Sequence, residues 1–305
     1  MTQVLQVDAS RADDVLAVIH ESFAGRPVLD PPATALDETL DSVGKALAEH
    51  GGLLAVHDGE PVGATLFDDH DRLLGLRRVG VLAGARHHGV ARMLADAAAA
   101  AAVERGKAGL VLEARAELPA TIAFWEKNGY VQADRSGPRL RMLRLLPLRR
   151  TLPTAEDTRG VGERLATVLA AGDLLILTGD LGAGKTTLTQ GLGDGLGVRS
   201  PVTSPTFVIA RIHPSLRGGP ELVHVDAYRL GDTAELDDLD LDTDLDQAVT
   251  VVEWGSGLAE ALSSDRLELR LERAADDVRT LTLTPVGGRW LDADLRAVLG
   301  PARLA

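Results

Sequence analysis

The chain has 305 residues, which leaves room for two domains, and 45% of them are hydrophobic, as in an ordinary soluble globular protein. It contains no cysteine, which excludes disulfides, thiolate metal sites and cysteine nucleophiles. The net charge of −13 argues against a surface that coats nucleic acid, because neutralising phosphates needs clustered lysines and arginines. The first residues carry acids where a signal peptide has a basic start, and the longest apolar run, Ala97 to Val103, is too short to span a bilayer. We therefore expect a cytoplasmic protein.

The first half of the chain predicts a mixed α/β domain. The expected elements are helices near 11–24, 34–50 and 119–127, an alanine-rich helix that ends near 105, and strands near 53–57, 61–67, 76–81, 110–113 and 130–133. Asp58-Gly59, between the first two strands, is a hairpin signal. Residues 139–146, RLRMLRLL, alternate apolar and basic side chains and predict an edge strand.

The segment Arg86-His87-His88-Gly89-Val90-Ala91 follows a strand and opens the alanine-rich helix. It has the form R-x-x-G-x-[GA], which occurs often by chance in a chain rich in glycine and alanine. The interpretation of this segment therefore depends on its position between a strand and a helix. With residues 123–130, AFWEKNGY, it resembles the GNAT acetyltransferase superfamily over about residues 2–146. The resemblance implies that Arg86, Gly89, Val90 and Ala91 hold the pyrophosphate of acetyl-CoA, and backbone N–H groups at a helix start suit that role.

The sequence leaves open whether this domain transfers acetyl groups. Many members of the superfamily protonate the departing thiolate with a tyrosine where this chain has Trp125, and an indole N–H is a poor acid. An asparagine of the family is replaced by Leu118. The strand before the turn offers no obvious carboxylate as general base, so His87, His88 and Glu113 are possible substitutes, although the two histidines can equally pack beside the loop or be solvated. The acceptor cannot be read from the sequence.

Pro147 and Pro153 bracket the join between the two halves and predict a short, stiff linker, which places the domains at residues 1–147 and 151–305. The second half predicts an α/β class with a mostly parallel sheet, because helices alternate with apolar strands. The expected elements are helices at 154–171, 185–196 and from about 292, and strands at 174–179, 207–213, 222–226, 248–253, 267–271 and 279–284.

The segment 174–187, LLILTGDLGAGKTT, contains Gly179-x4-Gly184-Lys185-Thr186 between an apolar strand and a helix. Backbone N–H groups can surround phosphates only where side chains do not block the approach, which requires glycines. Lys185 can reach the β- and γ-phosphates, and Thr186 can offer its hydroxyl to Mg²⁺. The segment predicts a nucleotide-binding P-loop, against the alternative of a chance glycine-rich turn. The predicted nucleotide contacts are Gly182, Ala183, Gly184, Lys185, Thr186 and Thr187.

Two further apolar strands end in an acid, at Asp226 and at Glu253. The second has the form of a Walker B element, in which a buried strand delivers one carboxylate. The carboxyl ends of parallel strands lie at the same edge of a sheet as the P-loop, where ligands bind. Alternatively, each acid caps the helix that follows it.

These motifs resemble the TsaE (YjeE) family in order and spacing, over about residues 151–290. The resemblance rests on GDLGAGKTT, on Ser204-Pro205-Thr206-Phe207, on His224-Val-Asp226-Ala-Tyr228-Arg229-Leu230 and on Val252-Glu253-Trp254. That family is the ATPase subunit of the bacterial machinery that makes threonylcarbamoyladenosine at position 37 of tRNAs reading ANN codons. It implies Thr186 and Glu253 as Mg²⁺ ligands and Asp226, Lys185 and Glu253 as the catalytic residues for ATP, with Asp226 positioning water or the γ-phosphate.

The same resemblance implies further contacts. Residues 204–206 resemble the switch I segment of GTPases, which orders around nucleotide. Trp254 can stack on a base or fill the core, and Arg279 lies near a region where the family contacts nucleotide.

The implied partners are TsaB and TsaD, with TsaD holding the carbamoyl-transfer site, tRNA reached only indirectly, and no DNA or membrane. The acidic run 235–246, in which acids alternate with leucines, is either a solvated face or a partner-binding edge.

The sequence therefore predicts a GNAT-like module fused to a TsaE-like ATPase, with ATP, Mg²⁺ and acetyl-CoA as cofactors. Two alternatives remain at this point. One is a P-loop kinase of small molecules, which an arginine-rich lid over the substrate would support. The other is an assembly factor whose first domain senses acetyl-CoA or docks a partner without catalysing transfer.

Overall fold

Two seven-stranded sheets organise this protein, one in residues 1–146 and one in residues 147–305. The computed structural model describes residues 1–27, 29–32, 34–199, 201–205, 210–229 and 246–300. Within those ranges, no helix combines the length and the apolarity that crossing a membrane would need.

The N-terminal unit has a mixed sheet with the strand order β1-β2-β3-β4-β5-β7-β6. The predicted mixed α/β class is confirmed. Its elements are β1 (Thr2–Val7), α1 (Ala12–Ala24), α2 (Leu40–His50), β2 (Gly52–His57), β3 (Glu60–His70), β4 (Leu73–Val81), α3 (Val90–Glu104), β5 (Gly109–Arg115), α4 (Pro119–Lys127), β6 (Val131–Ser136) and β7 (Arg139–Leu145).

Helices cover both faces of this sheet, and the alternation of side chains along β2 shows how. Leu53 and Ala55 join the core beneath α3 and α4, whereas Leu54 and Val56 join the core beneath α1 and α2. Successive residues of a strand point to opposite faces, so one short apolar strand contributes to two cores.

A gap opens in the sheet between β4 and β5. The two strands pair in parallel only from Leu73–Leu76 to Gly109–Leu112. Beyond these pairs, β4 continues against β3 alone, and β5 continues against β7 alone. The gap lies next to the start of α3 and positions the cavity of this unit.

Two predicted details of this half are wrong. The strand at 139–146 was expected at an edge, but β7 lies between β5 and β6, because alternating apolar and basic residues also suit an interior strand with one solvated face. The helix expected at 34–50 is a short 3₁₀ turn at Thr34–Asp37 followed by α2, which begins after a capping box formed by Thr39 and Ser42.

The C-terminal unit has the strand order β10-β11-β12-β9-β13-β14-β8, in which β11, β12, β9 and β13 are parallel and the outer pairings are antiparallel. Its elements are β8 (Leu148–Leu152), α5 (Ala155–Leu165), β9 (Leu174–Thr178), α6 (Lys185–Leu196), β10 (Ala210–His213), β11 (Glu221–Asp226), β12 (Ala248–Glu253), β13 (Arg266–Arg273), β14 (Arg279–Val286) and α7 (Leu295–Leu299). This is the α/β class expected, with a parallel centre.

Glycines let α5 and α6 pack at close range. A Cβ added to Gly162 would lie 2.2 Å from the carbonyl oxygen of Leu188, and one added to Gly191 would lie 2.0 Å from that of Arg159. Both distances are far below van der Waals contact, so these positions require glycine. The predicted helix 154–171 begins as expected, with a capping box between Thr154 and Asp157, but ends at Leu165.

The predicted linker between the halves is instead strand β8. Leu148 to Leu152 pair antiparallel with β14, and Leu152 is 1% exposed. Pro147 and Pro153 only bound the strand, and the five residues between them keep their N–H groups for pairing. A boundary at residue 151 would therefore cut an edge strand. The predicted strand residues 207–209 and the acidic run up to residue 245 lie outside the described residues.

We propose that the two units fold separately when the chain is divided after residue 146. A chain of residues 147–305 should then be more stable than one of residues 153–305, which lacks β8 and the buried Leu152 side chain. We expect Tm to fall by about 5 °C or more, since burying a leucine contributes roughly 1.5–3 kcal/mol. Thermal unfolding followed by circular dichroism measures this. Equal melting temperatures, or an unfolded 1–146 chain, would contradict the boundary.

Candidate functional site

The loop between β9 and α6 has the backbone conformation of a phosphate-binding loop. Gly179, Gly182 and Gly184 have φ values of +141°, +78° and +109°, a region that favours glycine. A Cβ on Gly179 would lie 2.2 Å from the carbonyl oxygen of Leu271, so a larger residue cannot replace it. The loop ends at the start of α6, where the first N–H groups have no partners within the helix. It can therefore present N–H groups to an anion.

Lys185 is buried at the first turn of α6, with 5% of its surface exposed. Its ammonium donates to the carbonyl oxygens of Gly179 at 2.7 Å and Asp180 at 3.2 Å. Burial lowers the pKa of Lys185, while the carboxylates of Glu253, Asp226 and Asp180 oppose this shift. The Lys185 ammonium thus lies inside the loop. There it can give up its hydrogen bonds to the loop carbonyls and donate to phosphate oxygens instead.

Thr186 and Glu253 are brought together from separate elements. The Thr186 hydroxyl lies 3.0 Å and 3.3 Å from the two carboxylate oxygens of Glu253, which is 3% exposed. Glu253 is the last residue of β12, the strand next to β9, and is paired with Leu177. Its position at the carboxyl edge of the parallel sheet is the one that the sequence predicted.

His224, on the neighbouring strand β11, contacts the same carboxylate, and sequence reasoning gave it no role. Its Nε2 lies 2.9 Å from Oε1 of Glu253, and the side chain is fully buried. A carboxylate only accepts, so we assign the hydrogen to Nε2. The signal in the sequence was its place on β11 two residues before Asp226, which puts both side chains on one face of the strand.

Asp226 ends β11 beside Glu253, with which it is in register. Its carboxylate accepts from the Ser204 hydroxyl at 3.1 Å and from the backbone N–H of Tyr228 at 3.1 Å. The structure thus links the Ser204-Pro205 segment to the sheet edge through Asp226. Thr206, the last residue of the predicted switch-like segment, lies outside the described residues.

Trp254 is half-buried beside the loop. Its ring lies 3.8 Å from the Lys185 ammonium and 5.2 Å from the Tyr228 ring. It has a left-handed φ of +63°, and its N–H donates to the carbonyl of Leu177 at 2.8 Å. The side chain therefore borders the phosphate loop and is only partly covered by the core.

Two arginines of the β13–β14 hairpin flank the loop. The Arg279 Nε lies 3.7 Å from the position of a Cβ on Gly184, and a guanidinium nitrogen of Arg273 lies 3.5 Å from that on Gly182. The sequence pointed to Arg279 and missed Arg273, because only the hairpin pairing brings both to one end of the strands.

The donors present fit a magnesium ion held together with phosphates. A threonine hydroxyl at a helix start and a carboxylate from a neighbouring strand are hard oxygen ligands, which Mg²⁺ prefers. Among the described residues, no group of three or more His, Asp or Glu side chains is arranged to hold a metal. A bound Mg²⁺ would therefore share Thr186 and Glu253 with phosphate oxygens and water, which is usual for this ion.

The N-terminal unit contains a cavity of about 1050 Å³ at the gap between β4 and β5. The predicted turn residues Arg86, Gly89, Val90 and Ala91 all line it. Gly89 has a φ of +77° and precedes the first residue of α3, so the start of a 15-residue helix faces the cavity. Such a helix start favours an anion.

Arg26 is a further cation of this cavity, which the sequence did not indicate. It is held by a hydrogen bond of 3.0 Å to the carbonyl of Val79 and lies over the Phe23 ring at 3.5 Å. Burial, and then the positive charge of Arg86, lowers the pKa of Arg26 to about 10. Two arginines close together favour an anion between them.

Trp125 lines the same cavity but belongs mainly to the core. It is 4% exposed and packs edge-on against Tyr130 with ring centroids 4.9 Å apart. Tyr130 is the single tyrosine of this unit, since the chain has two and the other is Tyr228. Its hydroxyl has no hydrogen-bond partner among the described residues, and burial raises the pKa of Tyr130. The structure therefore supplies no tyrosine in the expected acid position.

The three candidate bases differ in position. His87 and Glu113 line the cavity, whereas the exposed His88 does not. Glu113 lies 3.5 Å from Arg139.

A family model matches a segment of each unit. Residues 152–281 match the family described as threonylcarbamoyl adenosine biosynthesis protein TsaE. Residues 18–130 match the acetyltransferase (GNAT) family. The predicted two-part organisation by family is confirmed.

Two relatives agree with the first of these matches. A tRNA threonylcarbamoyladenosine biosynthesis protein TsaE of Streptomyces coelicolor is 61% identical over 147 residues, which are 47% of this chain and 99% of the relative. The protein of that name from Bacillus subtilis is 43% identical over 136 residues, 44% of this chain and 84% of the relative. The solved structure of the PaiA N-acetyltransferase of Thermoplasma acidophilum with coenzyme A is 15% identical, covers 48% of this chain and 99% of that chain, and has a TM-score of 0.43.

Proposed function

The chain belongs to the TsaE family through its C-terminal unit, and we propose that this unit is the ATPase required for threonylcarbamoyladenosine formation at position 37 of tRNA. The main observation in support of the proposal is the contact of Thr186 with the buried carboxylate of Glu253, next to the glycine loop. A P-loop alone binds phosphate, whereas hydrolysis also needs a carboxylate at the metal.

In this proposal, each part of the site has a task. The N–H groups of residues 182–187 surround the phosphates, and Lys185 leaves the carbonyls of Gly179 and Asp180 to contact them. Thr186 and Glu253 would hold Mg²⁺, which would neutralise the charge that develops on the phosphates. Asp226, held by Ser204 and the Tyr228 N–H, lies at the same edge and orients the attacking water or the γ-phosphate.

We further propose that this ATPase acts with TsaB and TsaD and reaches tRNA through them. The net charge of −13 supports an indirect contact with tRNA, because direct binding needs a basic surface. Leu181 is 91% exposed at the loop, and Tyr228 is 65% exposed beside Trp254. Large exposed apolar residues next to the nucleotide site suit contact with a partner protein.

For the N-terminal unit we propose binding of acetyl-CoA and transfer of its acetyl group. The helix start, Arg86 and Arg26 give the cavity the chemistry of a pyrophosphate site. A unit that only senses acetyl-CoA is the alternative, and the place of Trp125 where a general acid is usual favours it or a slow enzyme. A kinase function for the C-terminal unit has less support, since no arginine-rich lid is present among the residues described.

Lys185→Ala should abolish ATP binding and, in a mixture with TsaB, TsaD, tRNA, ATP and an activated threonylcarbamoyl donor, threonylcarbamoyladenosine formation. The loss follows because Lys185 is the cation inside the loop. The exposed Arg270→Ala is the matched control. Calorimetry measures affinity, and nucleoside analysis measures the product. Unchanged affinity in a folded Lys185→Ala protein would remove the P-loop assignment, and product formation by it would remove the ATPase requirement.

Arg86→Ala should weaken acetyl-CoA binding about tenfold, because it removes a charge-assisted contact with the pyrophosphate. The exposed Arg72→Ala, which does not line the cavity, should leave affinity unchanged. Calorimetric titration of the full chain measures both. No acetyl-CoA binding by the unaltered chain would remove the cofactor, and equal affinities of the two variants would move the pyrophosphate away from this turn.

A further inference from the structure

The cavity of the N-terminal unit has a second wall, formed by β5 and β7, that the proposed coenzyme contacts do not use. Glu113 on β5 and Arg139 and Arg141 on β7 all line it. Their neighbours Leu112, Leu140 and Met142 belong to the core beneath α3 and α4, so the alternation of strands places the charged residues on the opposite face. One cavity therefore joins the start of α3 to a charged face of the sheet.

The two arginines of this wall are only weakly engaged by neighbouring carboxylates. Arg139 lies 3.5 Å from Glu113, and its side chain is 54% exposed. Arg141 is in register with Glu113 on one side and Asp134 on the other, yet forms no ion pair with either. Arg115, by contrast, is engaged by the carboxylate of Glu117 and the carbonyls of Asp30 and Pro31.

The balance of charge favours an anion at this wall. Eight arginines line the cavity, against two acids, Asp68 and Glu113. The coenzyme accounts for those beside α3, namely Arg26, Arg86 and Arg92. Arg77, Arg78 and Arg115 each lie close to a carboxylate, of Asp68, Glu38 and Glu117. Arg139 and Arg141 remain, next to Glu113. Guanidinium groups pair with carboxylate and phosphate in a fork geometry.

We infer that the acetyl acceptor is a primary amine that carries an anionic group, a carboxylate or a phosphate, which Arg139 and Arg141 hold while Glu113 faces the amine. This inference rests on the acetyl transfer proposed above. The amine nitrogen forms a bond to the acetyl carbon as the carbon–sulfur bond breaks. The amine proton passes to Glu113 and then to solvent, and the departing thiolate takes a proton from solvent.

The test compares each anionic amine with an amine that lacks the negative charge. The members of the first pair are also matched in size, whereas those of the second differ by the phosphate group. The full chain is supplied with acetyl-CoA and with 4-aminobutanoate or its amide, and with 2-aminoethyl phosphate or ethanolamine, and free thiol is measured. The anionic member of at least one pair should react with a kcat/KM about tenfold higher or more. The pair that responds distinguishes carboxylate from phosphate.

Charge reversal then locates the effect. Arg139→Glu and Arg141→Glu should each raise KM for the anionic amine about tenfold and leave acetyl-CoA affinity unchanged. Arg135→Glu, on the exposed strand β6 and away from the cavity, is the matched control.

Three results would overturn the inference while acetyl-CoA still binds. The first is equal use of both members of each pair, and the second is a preference for cationic amines such as lysine peptides. The third result applies if no amine reacts. The chain saturated with coenzyme A is then titrated with the same four amines, and the inference is overturned if none binds or if binding does not depend on charge. Loss of acetyl-CoA binding itself would instead remove the proposed cofactor function.

Discussion

The structure of the nucleotide site depends on one buried carboxylate. Glu253 is 3% exposed, and a buried charge is tolerated only where hydrogen bonds replace water. Thr186 supplies one from the first turn of α6, and His224 supplies the other from the neighbouring strand. The same two contacts fix the side chain toward the loop, so the arrangement that makes burial possible also places the carboxylate where the proposed Mg²⁺ site requires it.

Backbone constraints place the loop where that carboxylate can serve it. Gly179 lets the chain leave β9 directly against the Leu271 carbonyl, and the glycines of α5 and α6 let the helix that carries Lys185 and Thr186 pack tightly. Parallel pairing of β11, β12 and β9 then brings Asp226 and Glu253 to the same edge. The glycines thus determine where the loop and the helix lie, and this position brings the charged side chains of the site together.

Much of this could be predicted from the sequence where a motif is local. The sequence predicts the glycine loop, α6 and the acids at the ends of β11 and β12 to within about a residue. These features can be predicted because an apolar strand that ends in an acid is a local sequence pattern. Contacts that depend on pairing were not: His224 on Glu253 and Arg273 beside Gly182 arise between distant segments. The prediction of a linker at β8 was wrong. The flanking prolines indicated a linker, and the strand's pairing partner, β14, lies more than 120 residues further along the chain.

The most direct test of the central claim is the ratio of ATP hydrolysis to ATP affinity in Glu253→Gln, measured with TsaB and TsaD present. Glutamine keeps the hydrogen-bonding shape beside Thr186 and His224 but removes the charge at the metal. Hydrolysis should fall about a hundredfold or more while affinity changes little, and the exposed Glu221→Gln should match the unaltered chain. Near-normal hydrolysis, or an equal loss of hydrolysis and affinity, would show that Glu253 supports the fold and does not serve the reaction.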